Sequence, residues 1–287
     1  MRLLVALLAL ALAGCGSEQA VQHHPALWEI TGPGGAHGYV FGTIHALPDG
    51  LQWQTPAIDA AVRSSDSLVL EIVDPADESA ARDAFARLGT TPRQPPLDAR
   101  VQPALRDELA KALAETRLQP GQFSSLEDWA AALTLSFALE AQDGFDPDNG
   151  ADRALLAAAG KRPVAGLETL EGQLGLFDAL PPREQRALLE AVVAEAGDKK
   201  ASRRLVDAWA RGDVSAIDRE AHGGMMANPR LREALLIARN RAWAIQVAAM
   251  LRAGKHPFVA VGAAHVAGAD GLPSLLGAVG FVLRRVQ

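Results

Sequence analysis

The chain has 287 residues, a formal net charge of −6, 49% hydrophobic and 22% charged residues, which is enough length for a sizeable core and an ordinary balance for a globular protein. The acidic balance argues against nucleic acid as a partner and against an electrostatic grip on anionic lipid. Cys15 is the single cysteine, so no disulfide can form, and once that thiol is modified no cysteine nucleophile remains.

In chain order, a basic Arg2 precedes an apolar run from Leu3 to Ala13. That run is too short to span a bilayer as a helix and of the right length for the hydrophobic part of a signal peptide. Leu12-Ala-Gly-Cys15 resembles a bacterial lipobox. The resemblance implies cleavage after residue 14, lipidation of Cys15, and a short tether over 15–25. With Gly16 and Ser17 following rather than Asp, it also implies retention at the outer membrane of a Gram-negative envelope, facing the periplasm. The rest, 26–287, is read as one domain.

Ala26 to Thr31 and Gly38 to His45 flank Gly32-Pro-Gly-Gly35, a hairpin signal. The second strand ends in Gly42-Thr-Ile-His45, followed by Asp49-Gly-Leu51. Thr55-Pro56 opens a short helix. Ser67 to Val73 then reads as a buried strand with one carboxylate, Glu71, in its middle, and a charge inside such a strand costs several kcal/mol unless it is paired or ligated. A helical pattern follows to Ala141, with Ser124-Ser-Leu-Glu127 expected as a capping box for a helix carrying Trp129 and Phe137. Asp143 to Gly150 is a polar turn. Asp152 opens the next helix, and Lys161 to Glu168 is a fourth strand candidate.

A second helical block runs from Thr169 to Gly254 and places Arg239 and Asn240 on a helix of buried character. Phe258-Val-Ala-Val-Gly-Ala-Ala-His265, with Asp270-Gly-Leu272 after it, echoes the first Gly-x-x-His stretch. In each copy the glycine, Gly42 or Gly262, lets the backbone approach a neighbour closely, and the histidine stands at a strand end. The pattern predicts an α/β fold whose central mixed sheet is formed by two duplicated halves, with large helical insertions. Aligning the copies sets Arg284 opposite Glu71, so the duplicated scaffold holds two histidines and one acid. His23, His24, His37, His222 and His256 are expected in loops or the tether.

Taken together, Phe41 to His45, Leu70-Glu71, Asp152, Gly166-Leu-Glu-Thr169, Arg239-Asn240 and Val261 to His265 resemble the TraB/GumN family, which includes the Tiki proteases. The resemblance covers nearly the whole chain after the tether. It implies an α/β core with paired Gly-x-x-His motifs and, in the Tiki branch, a metal-dependent protease using those histidines and an acid, with a peptide or protein as substrate. Beside it, two imidazoles and one carboxylate at strand ends form a three-ligand set, His45, His265 and Glu71, for Zn, Mn or Co, with an open position for water.

Other readings stay open. His and Glu can activate water without a metal, as in the distantly related erythromycin esterases. The same pocket could hold a peptide, or haem or iron as in ChaN-like relatives, with no turnover. Glu71 could be a structural partner of Arg239 or Arg241. Asp152, Glu168, Arg239 and Asn240 are further candidates for the site.

Overall fold

The computed structural model describes residues 23–73, 78–198 and 200–287. The leader, Cys15 and all of the tether up to residue 22 lie outside the described residues. In chain order the elements begin with β1 (Leu27–Thr31), β2 (His37–Thr43), β3 (Leu47–Pro48), α1 (Pro56–Ser64) and β4 (Ser67–Ile72). The first helical block follows as α2 (Glu78–Gly89), α3 (Arg106–Thr116), α4 (Asp128–Gln142), β5 (Phe145–Asp146) and α5 (Ala151–Ala159), and it leads to β6 (Val164–Glu168). The second block is α6 (Leu170–Asp178), α7 (Pro182–Glu195), α8 (Ala201–Ala210), α9 (Val214–Glu220), α10 (Pro229–Arg232) and α11 (Ala238–Arg252). Then come β7 (Pro257–Gly262), α12 (Leu272–Ala278) and β8 (Val282–Arg285). Among the described residues no helix is long and apolar enough to cross a membrane.

The main sheet has the order β6-β4-β7-β2-β1-β8. β6, β4, β7 and β2 are parallel neighbours, whereas β1 is antiparallel to both β2 and β8. The two strands that lead to the Gly-x-x-His motifs therefore pair directly, Gly42 against Val261 and Thr43 against Gly262. Side chains alternate between two faces. Phe41, Leu68, Leu70, Phe258 and Ala260 pack on one face with Ile58 of α1, Leu155 of α5 and Trp209 of α8. Val40, Val69, Val259 and Val261 pack on the other with Trp243 and Val247 of α11 and Leu272 of α12. A third core, around Trp129, Leu135, Leu188 and Leu189, holds the two helical insertions together.

The handedness of crossovers explains which helix lies where. β2→α1→β4 steps across the sheet in one direction and β7→α12→β8 in the other. Parallel crossovers are right-handed, so opposite steps must put their helices on opposite faces. The duplicated halves are thus related by an approximate two-fold axis lying between β2 and β7, parallel to the strands. β1, inserted between β2 and β8, breaks that symmetry. Arg284 therefore stands at the far edge, bonded to Glu29, and not near Glu71.

Two expectations are corrected. The capping box at Ser124–Glu127 does not form: Glu127 precedes α4 without a side-chain cap, and the Ser124 and Ser125 carbonyls instead accept from Gln94 and Thr91 N–H. One turn earlier, Gln122 Oε1 accepts from Gln119 N–H and the Gln119 carbonyl accepts from Gln122 N–H, at the short turn ending at Phe123. His37, expected in a loop, opens β2 and meets Glu29 across the hairpin.

Candidate functional site

Because β2, β7, β4 and β6 run parallel, their carboxyl ends share one edge. The chain leaves β2 and β7 in opposite directions, which makes the crevice between them a topological switch point, the place where open α/β sheets bind ligands. His45 lies just past β2 and His265 in the short 3-10 turn after β7 (Ala263–Val266), while Glu71 and Glu168 end β4 and β6. The structure brings His45, His265 and Glu71 together around one point. A Cβ placed on Gly262 would stand 3.0 Å from Glu71 Oε1, 3.6 Å from His265 Cδ2 and 3.7 Å from His45 Nε2. Glycine here leaves that space open. At Gly42 a Cβ would stand 2.8 Å from Val266 Cγ2 and 3.2 Å from Ala263 Cα, so this glycine lets the turn carrying His265 close against β2.

Each imidazole is held by its Nδ1. For His45, Nδ1–H donates to Asp152 Oδ2 at 2.7 Å, and Thr43 Oγ1 donates to Asp152 Oδ1 at 2.8 Å. α5 is brought there by Ala151 N–H, which donates to the Ile44 carbonyl, and by the β3–β5 pairing. For His265, Nδ1 meets Asn240 Oδ1 at 2.6 Å, and Asn240 Nδ2 donates to the Asp270 carbonyl. A backbone carbonyl can only accept, so the amide orientation is fixed, His265 Nδ1 is the donor, and its Nε2 carries the lone pair. His45 and His265 thus both turn Nε2 away from their anchors.

Glu71 is buried, 4% exposed. Its Oε1 accepts from Gly262 N–H at 2.6 Å and lies 3.7 Å from His265 Nε2, and its Oε2 accepts from Arg239 Nη2 at 2.9 Å. Arg239 is shared: Glu168 accepts from its Nε at 3.2 Å and from its Nη2 at 3.0 Å. The guanidinium also covers the Trp243 ring at 4.6 Å and donates through Nη1 to the Leu235 carbonyl, inside the π turn Glu233–Ile237 that joins α10 to α11. Trp243 Nε1–H donates to Glu168 and its ring lies against His265. The rival partner, Arg241, is bonded to Glu233 instead. Glu71 therefore does make the buried ion pair with Arg239, and it does so while facing both histidines.

Burial pushes the Glu71 carboxyl up, but the charges of His265 when protonated, of Arg239 and of His45, with the Gly262 amide, outweigh it and hold the pKa at about 2. Arg239, and His45 with its raised pKa, are the members of that set that stay charged at neutral pH, whereas His265 is neutral there. Burial, with the cationic neighbours Arg239 and His45, outweighs Glu71 and lowers His265 to about 4. For His45 desolvation also acts downward, and the Asp152 hydrogen bond with the charges of Asp152, Glu71 and Glu140 overcomes it, raising the pKa to about 9. Its side chain is 66% exposed, so it stands at the mouth of the crevice.

Two Nε2 atoms with anchored Nδ1–H groups and a carboxylate oxygen are the donor set and outer shell that a divalent ion takes. As placed, no three His, Asp or Glu side chains among the described residues close to ligand distance on one point, and Arg239 Nη1 lies 3.3 Å from His265 Nε2. The donors and their anchors fit a divalent ion; Arg239 is the group that shares their space. Two residues absent from the sequence reading join the site. Thr43 sits inside the Gly-Thr-Ile-His stretch and could have been noticed there. Gln173, whose Nε2 lies 3.4 Å from Glu71 Oε2, carries no sequence signal.

A family model for the TraB/PrgY/gumN family matches residues 26–285. The chain belongs to that family. Within it, proteins described as uncharacterized protein YbaP from Shigella flexneri and from Escherichia coli (strain K12) are each 26% identical over 250 residues, covering 86% of this chain and 90% of the relative. No solved structure matches the chain.

Proposed function

We propose that this TraB/PrgY/gumN member is a metal-assisted hydrolase acting on peptides, held at the periplasmic face of the outer membrane through lipid on Cys15. The observation that carries the reading is the convergence of His45 Nε2, His265 and Glu71 Oε1 on the space beside Gly262 at the switch point of the sheet. His45, His265 and Glu71 would hold the ion, which when bound supplies Lewis acidity toward water or a peptide carbonyl. Asp152 and Asn240 keep the two Nε2 atoms facing that space, and an arriving ion would displace the Nε2 proton of His45. Glu168 and Trp243 hold Arg239 in place, and its guanidinium offers a fixed cation beside the position where negative charge develops on a carbonyl oxygen.

A second reading, turnover by His45 and Glu71 without a metal, is favoured by Arg239 Nη1 lying so near His265 Nε2. Metal analysis of the purified protein, followed by peptide hydrolysis after chelation and after reloading with Zn, Mn or Co, separates the two. The first reading expects His45→Ala and His265→Ala to lose both metal and activity. Activity that survives chelation supports the second. A wild-type protein that binds metal or peptide and cleaves nothing under any loading is a binding protein, and both readings fail.

A further inference from the structure

A cleft of about 480 Å³ reaches Ala264, beside the candidate site, and no role assigned above uses it. Ala264, in the turn between Gly262 and His265, lines it together with the ends of α4 and α7, the start of α8 and the Gly223–Met226 turn. Its apolar lining includes Leu139, Val192, Leu205, Met225 and Met226. Its acidic lining includes Glu140, Asp143, Glu195, Asp198 and Glu220. Arg204 is the one base among the described lining residues, and Asp198 and Glu220 already hold it at 2.9 and 3.4 Å.

Glu140 and Glu195 make no ion pair with a described arginine or lysine. Burial pushes both carboxyls up, against the charge of His45 and a Ser136 hydrogen bond for Glu140, and against a Met225 N–H but with the charge of Asp198 for Glu195. Carboxylates drawn out of water without such a partner carry a desolvation penalty that an entering cation removes. A lining that mixes apolar and acidic side chains matches the amphipathic side chains of lysine and arginine, stem against the methionines and leucines, head against the carboxylates. Met225 and Met226 can adjust to differing stems.

We infer that this cleft is the substrate groove, and that it selects an extended peptide segment in which basic side chains alternate with apolar ones. The inference rests on the hydrolase reading for its catalytic end and on the cleft itself for its selectivity. Its test reads binding rather than turnover. Fluorescence anisotropy of the purified full chain is measured with a fluorescein-labelled ten-residue peptide of alternating lysine and leucine, and with the same peptide carrying glutamate for lysine, each verified intact by mass spectrometry afterwards.

The lysine peptide is expected to bind at least about tenfold tighter at low ionic strength, and to weaken as sodium chloride is raised. Glu140→Gln with Glu195→Gln should remove most of that preference. Asp83→Asn with Asp107→Asn, which takes the same charge from exposed positions on α2 and α3, should leave it. Equal binding of the two peptides, or a preference unmoved by salt, overturns the inference using wild-type protein alone. So does an equal loss in both double variants, which would show the overall negative charge at work, or full displacement by spermine at the same charge concentration, which would show a site for small cations. Cleavage of peptides without regard to basic residues would remove the groove and keep the hydrolase. Lysine-peptide binding with no cleavage under any metal would keep the groove's selectivity and remove the hydrolase.

Discussion

Replacing Glu71 by Gln separates a working carboxylate from a structural one, and the shared arginine sets the size of the effect. Gln keeps the shape and one oxygen. Gly262 N–H needs an acceptor at Oε1, so the amide NH₂ must take the place of Oε2, donor facing donor at Arg239 Nη2. Arg239 is not left alone, because Glu168 holds it through Nε and Nη2. The main loss is therefore that of one hydrogen bond to a charged group, about 2 kcal/mol, or roughly 4–8 °C in melting temperature, the long 3.4 Å contact from Gln173 Nε2 to the same oxygen adding little. Arg239→Met is the counterpart. It leaves Glu71 and Glu168, which now accept from the same Nη2, facing each other without the guanidinium between them, at a loss of about 3–5 kcal/mol and a fall on the order of 10 °C or more. Thermal melting of both variants, with activity per folded molecule, decides the matter: Glu71→Gln should stay folded and lose activity by about 100-fold or more. If it melts as low as Arg239→Met with its activity per folded molecule preserved, Glu71 is a salt-bridge residue and the site has been misassigned.

Divalent metal at about 100 times its dissociation constant should raise wild-type stability by about 2.7 kcal/mol, read as a melting shift, and His265→Ala should show none of it. Asn240→Ala removes the acceptor of a buried imidazole N–H and should cost about 1–3 kcal/mol, with His265 freed to rotate and metal affinity reduced in titration. In metal-free protein the His45–Asp152 pair adds stability that is fully present below the ordinary histidine value of 6.5 and is lost as pH rises through about 9; Asp152→Asn should flatten that part of the denaturation profile and move the His45 proton resonance titration toward 6.5. Cys15→Ser should leave the precursor unprocessed or released, and mature lipid-labelled protein in the membrane fraction would contradict the lipobox reading.

The legible part of the fold was the part written in strand chemistry. The β-branched runs, the hairpin at Gly32-Pro-Gly-Gly35 and the two Gly-x-x-His stretches were enough to place β2 and β7 in one sheet, because each run carries its own boundaries. The helical blocks were legible as helices and opaque as packing. Nothing in Gln173 marks it as a neighbour of Glu71, since that contact depends on how α6 leaves β6. The rival partners of Glu71, Arg239 and Arg241, lie two apart on a helix and so face different directions. The sequence cannot say which faces inward; the structure turns Arg239 toward the crevice and Arg241 toward Glu233.

The same topology accounts for the single acid. Under the two-fold axis between β2 and β7, β4 lies outside β7 and its counterpart β8 should lie outside β2, with its carboxyl end beside His45 as Glu71 lies beside His265. β1 takes that place, and being antiparallel it turns its carboxyl end to the opposite edge of the sheet. β8 is pushed one strand further out, where Arg284 and Glu29 satisfy each other at the surface. An acid at the Arg284 position could not reach the crevice, whatever the duplicated ancestor carried. The second carboxylate near the histidines is supplied from outside the repeat: Asp152, on the N-terminal turn of α5, reaches His45 from the first helical insertion. Glu71 faces the shared space directly, whereas Asp152 stands behind its histidine, so the two carboxylates of one scaffold occupy different places, one turned toward the crevice and the other holding an imidazole in orientation.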